Sequence, residues 1–440
     1  MSRKQTIIRG TFILTFTGLL TRVIGFFYRI FLSRTFQAEG VGLYQLIFPV
    51  YALCFSLTSA GIQTALSRIV AKYKALNQEK TCQNALKTAL FLSMILSFAA
   101  LIVVQKRAEP IASTILQEPR CAELLTSMSL AFPFAAIHSC ICGYYLGMKK
   151  TEVPAVSQLL EQLFRVLSVV FFCQIGLHFS TGTPVTIAVL GMVCGEIVSA
   201  IYSIFMLHET LFSSSGKLQD FLIPARELLH LSIPLTANRV LLNLLQSAEA
   251  ILIPLRLQMY GLTLSDSLST YGVLTGMALP CILFPSAITN SVSTMLLPTV
   301  AELQVSDLRD NLPKLIRKVV FCCFSLGFLC MAGFFVLGNI MGNLIFHNSE
   351  AGNFIITLAF ICPFLYTNTA LISILNGLGK TSFTFLTNTA GLLMRICSVY
   401  FLIPKYGILA YLHGLLASQF LISALSLYGL LHYGKRKESD

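Results

Sequence analysis

The sequence predicts an all-α integral membrane protein with about twelve transmembrane helices, arranged as two parallel six-helix bundles. Three observations predict it: too few charges for a water-covered surface, apolar runs of bilayer-spanning length, and a repeat that divides the chain in two. Of 440 residues, 55% are hydrophobic and 11% are charged. A soluble chain carries roughly 25% charged residues, so most of this surface faces something other than water.

The apolar runs have the length that a hydrocarbon layer demands, ~20 residues for ~30 Å. They fall near 8–33, 43–67, 88–105, 124–148, 155–178, 184–207, 231–255, 271–298, 319–342, 354–377, 383–403 and 408–431. Polar stretches such as Gln78-Glu79-Lys80 and Ser213-Ser214-Ser215-Gly216 separate them. The first run follows Arg3, Lys4 and Arg9, as a signal peptide would, but it exceeds the length of a signal sequence's apolar region and is followed by no small-residue cleavage pattern. It is expected to be the first span.

Basic residues set the orientation. Twenty gather on one side of these spans, among them Arg68, Lys72, Lys74, Lys80 and Lys87, then Arg309, Lys314, Arg317 and Lys318. Six lie on the other: Arg34, Lys106, Arg107, Arg120, Arg256 and Lys405. The positive-inside rule places the first set, and both termini, in the cytoplasm. The net charge of +12 follows from this bias and implies attraction to anionic membrane lipids rather than to nucleic acid.

One constant offset aligns the two halves. Pro133 and Pro363, Gly147 and Gly377, Lys150-Thr151 and Lys380-Thr381, and Arg165 and Arg395 all lie 230 residues apart, as do Gly42 and Gly272. Six spans per half make the repeats parallel, related by an axis along the membrane normal, and substrate sites in repeat-built transporters usually lie at the repeat interface. The expected organisation is an N-terminal bundle over 1–212, a cytoplasmic linker over 213–228 and a C-terminal bundle over 229–440. The stretch Glu302 to Lys318 reads equally as an interfacial amphipathic helix or an ordinary loop.

Charges inside spans are costly, roughly 2.5–3.5 kcal/mol for an Arg at a helix centre on insertion scales, and therefore mark candidate sites. In the first span Thr11, Thr15, Gly18, Arg22, Gly25 and Arg29 follow steps of four and three along one helix face. In the seventh, Arg239, Asn243, Gln246 and Glu249 do the same. Two such stripes suit a wet cavity that selects an anion, since guanidinium binds phosphate bidentately; interhelical glue is the alternative. Glu161 and Arg165, four apart in the favourable order, are expected to form a structural ion pair. Gly391 stands at the position equivalent to Glu161, so Arg395 needs another partner. Glu196 is a candidate for either Arg. Glu249 can pair with an Arg or titrate with a coupling ion. Pro49, Pro280 and Pro285 interrupt the second and eighth spans, as gates or as static kinks.

No enzyme constellation is present: no P-loop, no G-x-S-x-G and no paired catalytic carboxylates. The 13 Cys and seven His show no zinc spacing, so neither metal nor cofactor is expected.

Several segments resemble one family. Thr21-Arg-Val-Ile-Gly-Phe-Phe-Tyr-Arg29, Gly40-Val-Gly-Leu-Tyr-Gln-Leu-Ile-Phe-Pro-Val-Tyr51, Gln158-Leu-Leu-Glu-Gln-Leu-Phe-Arg165, and the run from Gly272 to Glu302 ending Leu-Pro-Thr-Val-Ala-Glu are similar to the stage V sporulation protein B and MurJ-type lipid II flippases. The resemblance implies the multidrug/oligosaccharidyl-lipid/polysaccharide exporter fold and alternating access. It also implies an undecaprenyl-pyrophosphate-linked saccharide as substrate and a role in envelope or spore-cortex peptidoglycan. Members commonly carry fourteen spans where this sequence offers twelve, and the flippases' eighth-helix Arg is replaced by the uncharged Gly272-Val-Leu274. Arg22 and Arg29 are the best-matched binding positions. A cation-coupled multidrug exporter of the same fold and a non-transporting envelope-assembly scaffold are the competing readings. The exporter would want a carboxylate where the first span has Arg; the scaffold would need no cationic stripe.

The orientation is directly testable. In a Cys-free background, single Cys probes replacing Lys149 and Lys217 should be shielded from impermeant reagents in intact cells, and probes replacing Gln37 and Ser180 should label. Labelling at Lys149 from outside would reverse the topology.

Overall fold

The computed structural model describes residues 3–175, 184–211, 219–305 and 312–438. Residues 213–218 of the expected linker, residues 306–311 of the expected amphipathic stretch, and Ser180 lie outside the described residues. Every regular element among those described is helical, as a chain must be whose backbone polar groups have no water to bond to.

The first helix, α1 (Arg3–Phe55), runs for 53 residues and is broken at Gln37, whose φ of 58° lies in the left-handed region. It passes through a π-helical turn, Ser56–Ala60, into α2 (Gly61–Ala75). There follow α3 (Glu79–Pro110), α4 (Cys121–Ser129), α5 (Ala131–Gly147), α6 (Glu152–Gln174), α7 (Thr186–Leu211) and α8 (Gln219–Tyr260). The second part begins with α9 (Leu264–Gly272), α10 (Leu279–Leu283) and α11 (Ser286–Val305). It continues with α12 (Leu312–Ile340), α13 (Ser349–Ala359), α14 (Cys362–Gly377), α15 (Thr381–Cys397), α16 (Ile403–Tyr406) and α17 (Ile408–Glu438).

Among the described residues eight helical runs are long and apolar enough to cross a membrane, and three bent pairs raise the number to eleven. The first run, Ile13–Ala75, has 63 residues, about three times the ~20 needed for one crossing. Its break at Gln37 makes it two spans, which gives the expected twelve. The bent pairs are α4 with α5 (42°), α9–α10 with α11 (59°), and α13 with α14 (56°). Proline sits at or beside each break: Pro133 near the start of α5, Pro285 between α10 and α11, and Pro363 near the start of α14. Its missing N–H and ring clash end the preceding hydrogen-bond ladder.

The 230-residue offset is also geometric. The π-helical turn Ile111–Ile115 recurs at Met341–Ile345. The left-handed residues Gln117 and His347 (φ 52° and 51°), and Lys149 and Gly379 (φ 61° and 79°), occupy equivalent positions.

By contact the chain forms two compact units. Unit 1 holds Met1–Tyr28 and Leu43–Ser247; unit 2 holds Arg29–Gly42 and Ala248–Asp440. The core of unit 1 gathers Leu66 and Ile69 of α2, Leu86 of α3, Ile141 and Tyr144 of α5, Leu207 of α7 and Leu228 of α8. That of unit 2 includes Leu296 and Val300 of α11 with Ala370, Ile374 and Leu378 in and just after α14. Lipid tails are as apolar as leucine, so close backbone approach between small residues does much of the holding. In unit 1 a Cβ on Gly143 or Gly147 of α5 would stand 2.7 Å from the Gln63 carbonyl oxygen or 2.6 Å from that of Ser67 on α2. In unit 2 the repeat-related glycines pack together: a Cβ on Gly42 would meet the Leu268 oxygen at 2.1 Å, and one on Gly272 the Ala38 oxygen at 2.0 Å.

Gly272→Val should therefore force the α1 segment off α9 and destabilise the protein by about 1–3 kcal/mol, read as a lowered melting temperature in detergent. Gly333→Ala, with nothing within 4 Å of its added Cβ, is the matched control and should stay within about 0.5 kcal/mol of the parent. Equal melting of the two variants would show that the Gly42–Gly272 approach carries no packing constraint.

Candidate functional site

Four helices of unit 1 bring a charged cluster together. α6 supplies Glu161 and Arg165 one turn apart, and the Arg165 guanidinium is in contact with the Glu161 carboxylate. α7 supplies Glu196, 5% exposed. α5 supplies His138, whose Nδ1 lies 3.6 Å from Glu196 Oε2 and 3.9 Å from Glu161 Oε2. The second part of α1 supplies Tyr51, whose hydroxyl donates to Glu196 Oε1 at 2.9 Å. Close packing of α6 on α7 makes the cluster possible. Gly195 faces the Glu161 carbonyl oxygen, which an added Cβ would approach to 2.6 Å, and Gly191 faces Val169. Two polar atoms in the cluster have no hydrogen-bond partner among the described residues, Glu196 Oε2 and Arg165 Nε. The His138, Glu161 and Glu196 ligand atoms all lie within 4.8 Å of one another, but the guanidinium seated on Glu161 opposes a divalent ion there.

Unit 2 holds a smaller assembly. Arg395 Nη2 of α15 lies 3.2 Å from Glu249 Oε2 of α8. The Tyr411 hydroxyl of α17 donates to Glu249 Oε1 at 2.7 Å. Arg395 thus takes Glu249, and Glu196 stays with the unit 1 cluster. Neither His138 nor Tyr51 stood out in the sequence. Their partners lie 58 and 145 residues away at spacings that no local periodicity links, and only the packing of separate helices joins them.

The polar stripes are placed as follows. Arg22 is exposed on α1 in unit 1, and makes no hydrogen bond or ion pair among the described residues. Arg29, half-buried in unit 2, donates from Nη1 to the Thr275 carbonyl at 3.3 Å. Arg239 is exposed in unit 1 and donates from Nη2 to Thr64 Oγ1 at 3.2 Å. One turn on, Asn243 Nδ2 bonds the Ser56 hydroxyl and, at 3.3 Å, the Ala52 carbonyl. Gln246 is exposed. The Ser247 hydroxyl donates to the Pro49 carbonyl at 3.3 Å. Pro280 opens α10 directly after the π-helical turn Val273–Ala278, and Pro285 occupies the 59° bend. The seven-residue interval between Arg22 and Arg29 thus separates a residue of unit 1 from a residue of unit 2.

Comparison with known proteins agrees with this architecture. A family model described as "Polysaccharide biosynthesis protein" matches residues 7–304. The chain is 28% identical to stage V sporulation protein B of Bacillus subtilis (strain 168) over 442 aligned positions, which cover 98% of this chain and 83% of that one. Among solved structures, an inward-facing multidrug resistance MATE family transporter of the MOP superfamily matches with a TM-score of 0.74 at 13% identity, covering 96% of both chains. The lipid II flippase MurJ in an inward closed conformation matches at 0.73 and 13%, covering 95% of this chain and 87% of that one. At such identities the structural matches establish the fold alone.

The two charge assemblies should respond differently to substitution. In unit 2, Glu249→Gln and Arg395→Met each strand one buried charge and should each cost about 3–5 kcal/mol, with the double variant recovering much of it. In unit 1, Arg165→Met strands two carboxylates, whereas Glu161→Gln leaves Arg165 with Glu196. Arg165→Met should therefore be the more damaging of the two. Folded yield and melting temperature in detergent measure both. Equal losses for Arg165→Met and Glu161→Gln would contradict the cluster's charge count.

Proposed function

The chain belongs to the polysaccharide biosynthesis protein family, and we propose that it moves an undecaprenyl-pyrophosphate-linked saccharide, a lipid II-like molecule or polysaccharide repeat unit, across the bacterial cytoplasmic membrane by alternating access. The observation that carries the proposal is Arg22. Within the long apolar run from Ile13, it is an exposed cation that meets no carboxylate among the described residues. Glu161, Arg165, Glu249 and Arg395 all neutralise one another locally. A guanidinium without a counterion in such a helix is stabilised by an anion brought from outside, and pyrophosphate offers it bidentate acceptors. Arg239, bonded only to a neutral hydroxyl, is suited to the same role, with Asn243 and Gln246 on its stripe. Arg29 and Glu249 extend the two stripes; Glu249 is already matched by Arg395 and Tyr411. Pro49, Pro280 and Pro285 mark where helices bend as the site changes access. Both termini lie in the cytoplasm in this reading. The fold is shared with a flippase and a drug exporter alike, and the cationic stripe favours an anionic lipid over the cationic drugs that a carboxylate-lined path would take.

Charge-assisted contacts of this kind contribute roughly 1.5–3 kcal/mol each, so losing one should weaken capture by about ten- to a hundredfold. Arg22→Ala should abolish most movement of a fluorescent undecaprenyl-pyrophosphate disaccharide in reconstituted vesicles, with melting temperature near normal. Arg22→Lys should keep part of it. Normal movement per folded Arg22→Ala molecule would remove the proposal; efflux of cationic dyes by the parent protein would favour the exporter.

A further inference from the structure

We infer that His138, Glu161 and Glu196 form a buried proton-exchange site in unit 1 that couples the transport cycle to a proton gradient. The inference deepens the transport reading above and rests on it. It starts from a charge count. The cluster contains two carboxylates and one guanidinium, Arg165, so it carries one negative charge too many unless a proton is bound. A lone excess charge at such depth is costly. His138 stands where one proton would cancel it.

The second half of the chain shows that this excess is particular to unit 1. Moving 230 residues on, Arg165 becomes Arg395, but His138 becomes Asn368, Glu161 becomes Gly391 and Glu196 becomes Ser426. Asn368 sits in a neutral network, donating to the Gln419 carbonyl at 2.9 Å and accepting from Ser423 at 2.6 Å. Arg395 is balanced by the single carboxylate of Glu249. The imidazole and the extra carboxylate are present together in one unit and absent together at the equivalent positions of the other.

Geometry points to the place of the proton. Glu196 Oε1 is occupied by Tyr51, whereas Oε2, fully buried, has no hydrogen-bond partner among the described residues. His138 Nδ1 lies 3.6 Å from it, beyond the 2.7–3.2 Å of a formed N–H···O bond. A proton taken up on Nδ1 completes that bond after a small closure and satisfies the orphan oxygen. The groups facing the imidazole are Cys142 on its own helix, Glu161 on α6, with Arg165 behind it, and Glu196 on α7. Tyr51 of α1 faces it through Glu196, and Tyr44 adjoins Arg165. A sodium ion prefers an all-oxygen shell, which an imidazole nitrogen interrupts, and a divalent ion would lie against the guanidinium.

A chain of contacts within unit 1 links the site to the proposed substrate stripe. Glu196 accepts from Tyr51. The same α1 segment presents the Pro49 and Ala52 carbonyls, and just beyond it Ser56, to Ser247 and Asn243 of α8. Gain or loss of the proton changes the charge that Tyr51 holds, and with it the seat of the helix on which Asn243 rests.

The test uses the full chain, with two readouts. First, the purified protein, labelled with ¹⁵N-histidine and free of substrate, is titrated between about pH 5 and 9, the range in which imidazoles exchange protons. His138→Gln identifies the His138 signal among the seven histidines. Glu196→Gln, an isostere that removes the extra charge, should weaken proton binding at His138 about tenfold. Second, movement of the fluorescent undecaprenyl-pyrophosphate disaccharide is compared with and without a gradient of about one pH unit, each protein serving as its own reference. One proton per cycle should shift the final distribution by up to about tenfold, and this response should be lost in His138→Gln and in Glu196→Gln. A His138 signal that does not titrate, or that ignores Glu196→Gln, overturns the inference. So does a parent protein driven by a sodium gradient and indifferent to pH. Should either variant fail to fold, the parent's titration and gradient response decide alone. A parent that titrates as described yet moves no lipid supports the proton site and removes the lipid substrate instead.

Discussion

A charge that enters a lipid-facing helix bundle must bring its compensation with it, because the surrounding hydrocarbon offers neither hydration nor counterions. That constraint organises the polar interior of this chain. Arg165 is held by Glu161 one turn away, Arg395 by Glu249 on another helix, and Glu249 and Glu196 each receive a tyrosine hydroxyl. The same demand acts on the backbone. The Pro49 and Ala52 carbonyls accept from Ser247 and Asn243 of α8. Arg34 closes the end of a helical segment by donating to the Leu344 and Ile345 carbonyls at 2.8 Å. Against this background Arg22, exposed and without a carboxylate among the described residues, and the excess negative charge beside His138 are departures that a mechanism has to explain.

How much of this could be read from the sequence depends on the range of the interaction. The spans follow from apolar length, and the 230-residue offset from a handful of rare residues; both rest on local composition. The Glu161 and Arg165 spacing is local too, since one helical turn brings them together. The Glu249–Arg395 pair is not: 146 residues separate the partners, and the choice of Glu249 over Glu196 is made by which helices pack. His138 gave no signal, because one histidine in an apolar run is indistinguishable from a buried core residue until α6 and α7 are laid beside α5. The break at Gln37 falls in the gap between the first two apolar runs, although no glycine or proline marks the residue itself.

The repeat conserves geometry more faithfully than chemistry. The bend of α4 with α5 recurs in α13 with α14, the π-helical turn Ile111–Ile115 in Met341–Ile345, and the left-handed residues Gln117 and Lys149 in His347 and Gly379. Few of the ionisable residues do, among them Lys150 and Lys380, and Arg165 and Arg395. A scaffold that satisfies its backbone by itself tolerates exchange of buried side chains, provided that each charge left behind finds compensation. His138, Glu161 and Glu196 are replaced by Asn368, Gly391 and Ser426, and Arg395, which is retained, is matched by Glu249 of α8 instead.

The membership of the two units bears on how the protein is made. Residues 29–42 are synthesised early, yet they belong with Ala248–Asp440. At roughly 5–20 residues per second, Gly42 waits about 10–50 seconds before Gly272 leaves the ribosome and can pack against it. During that interval a bare small-residue surface on α1 stands in the membrane without its mate. Fragments cut near residue 213 would each lack a piece the other carries: the first would lose the stretch of α8 up to Ser247, and the second would lose residues 29–42. By contact, then, neither fragment would carry one complete unit.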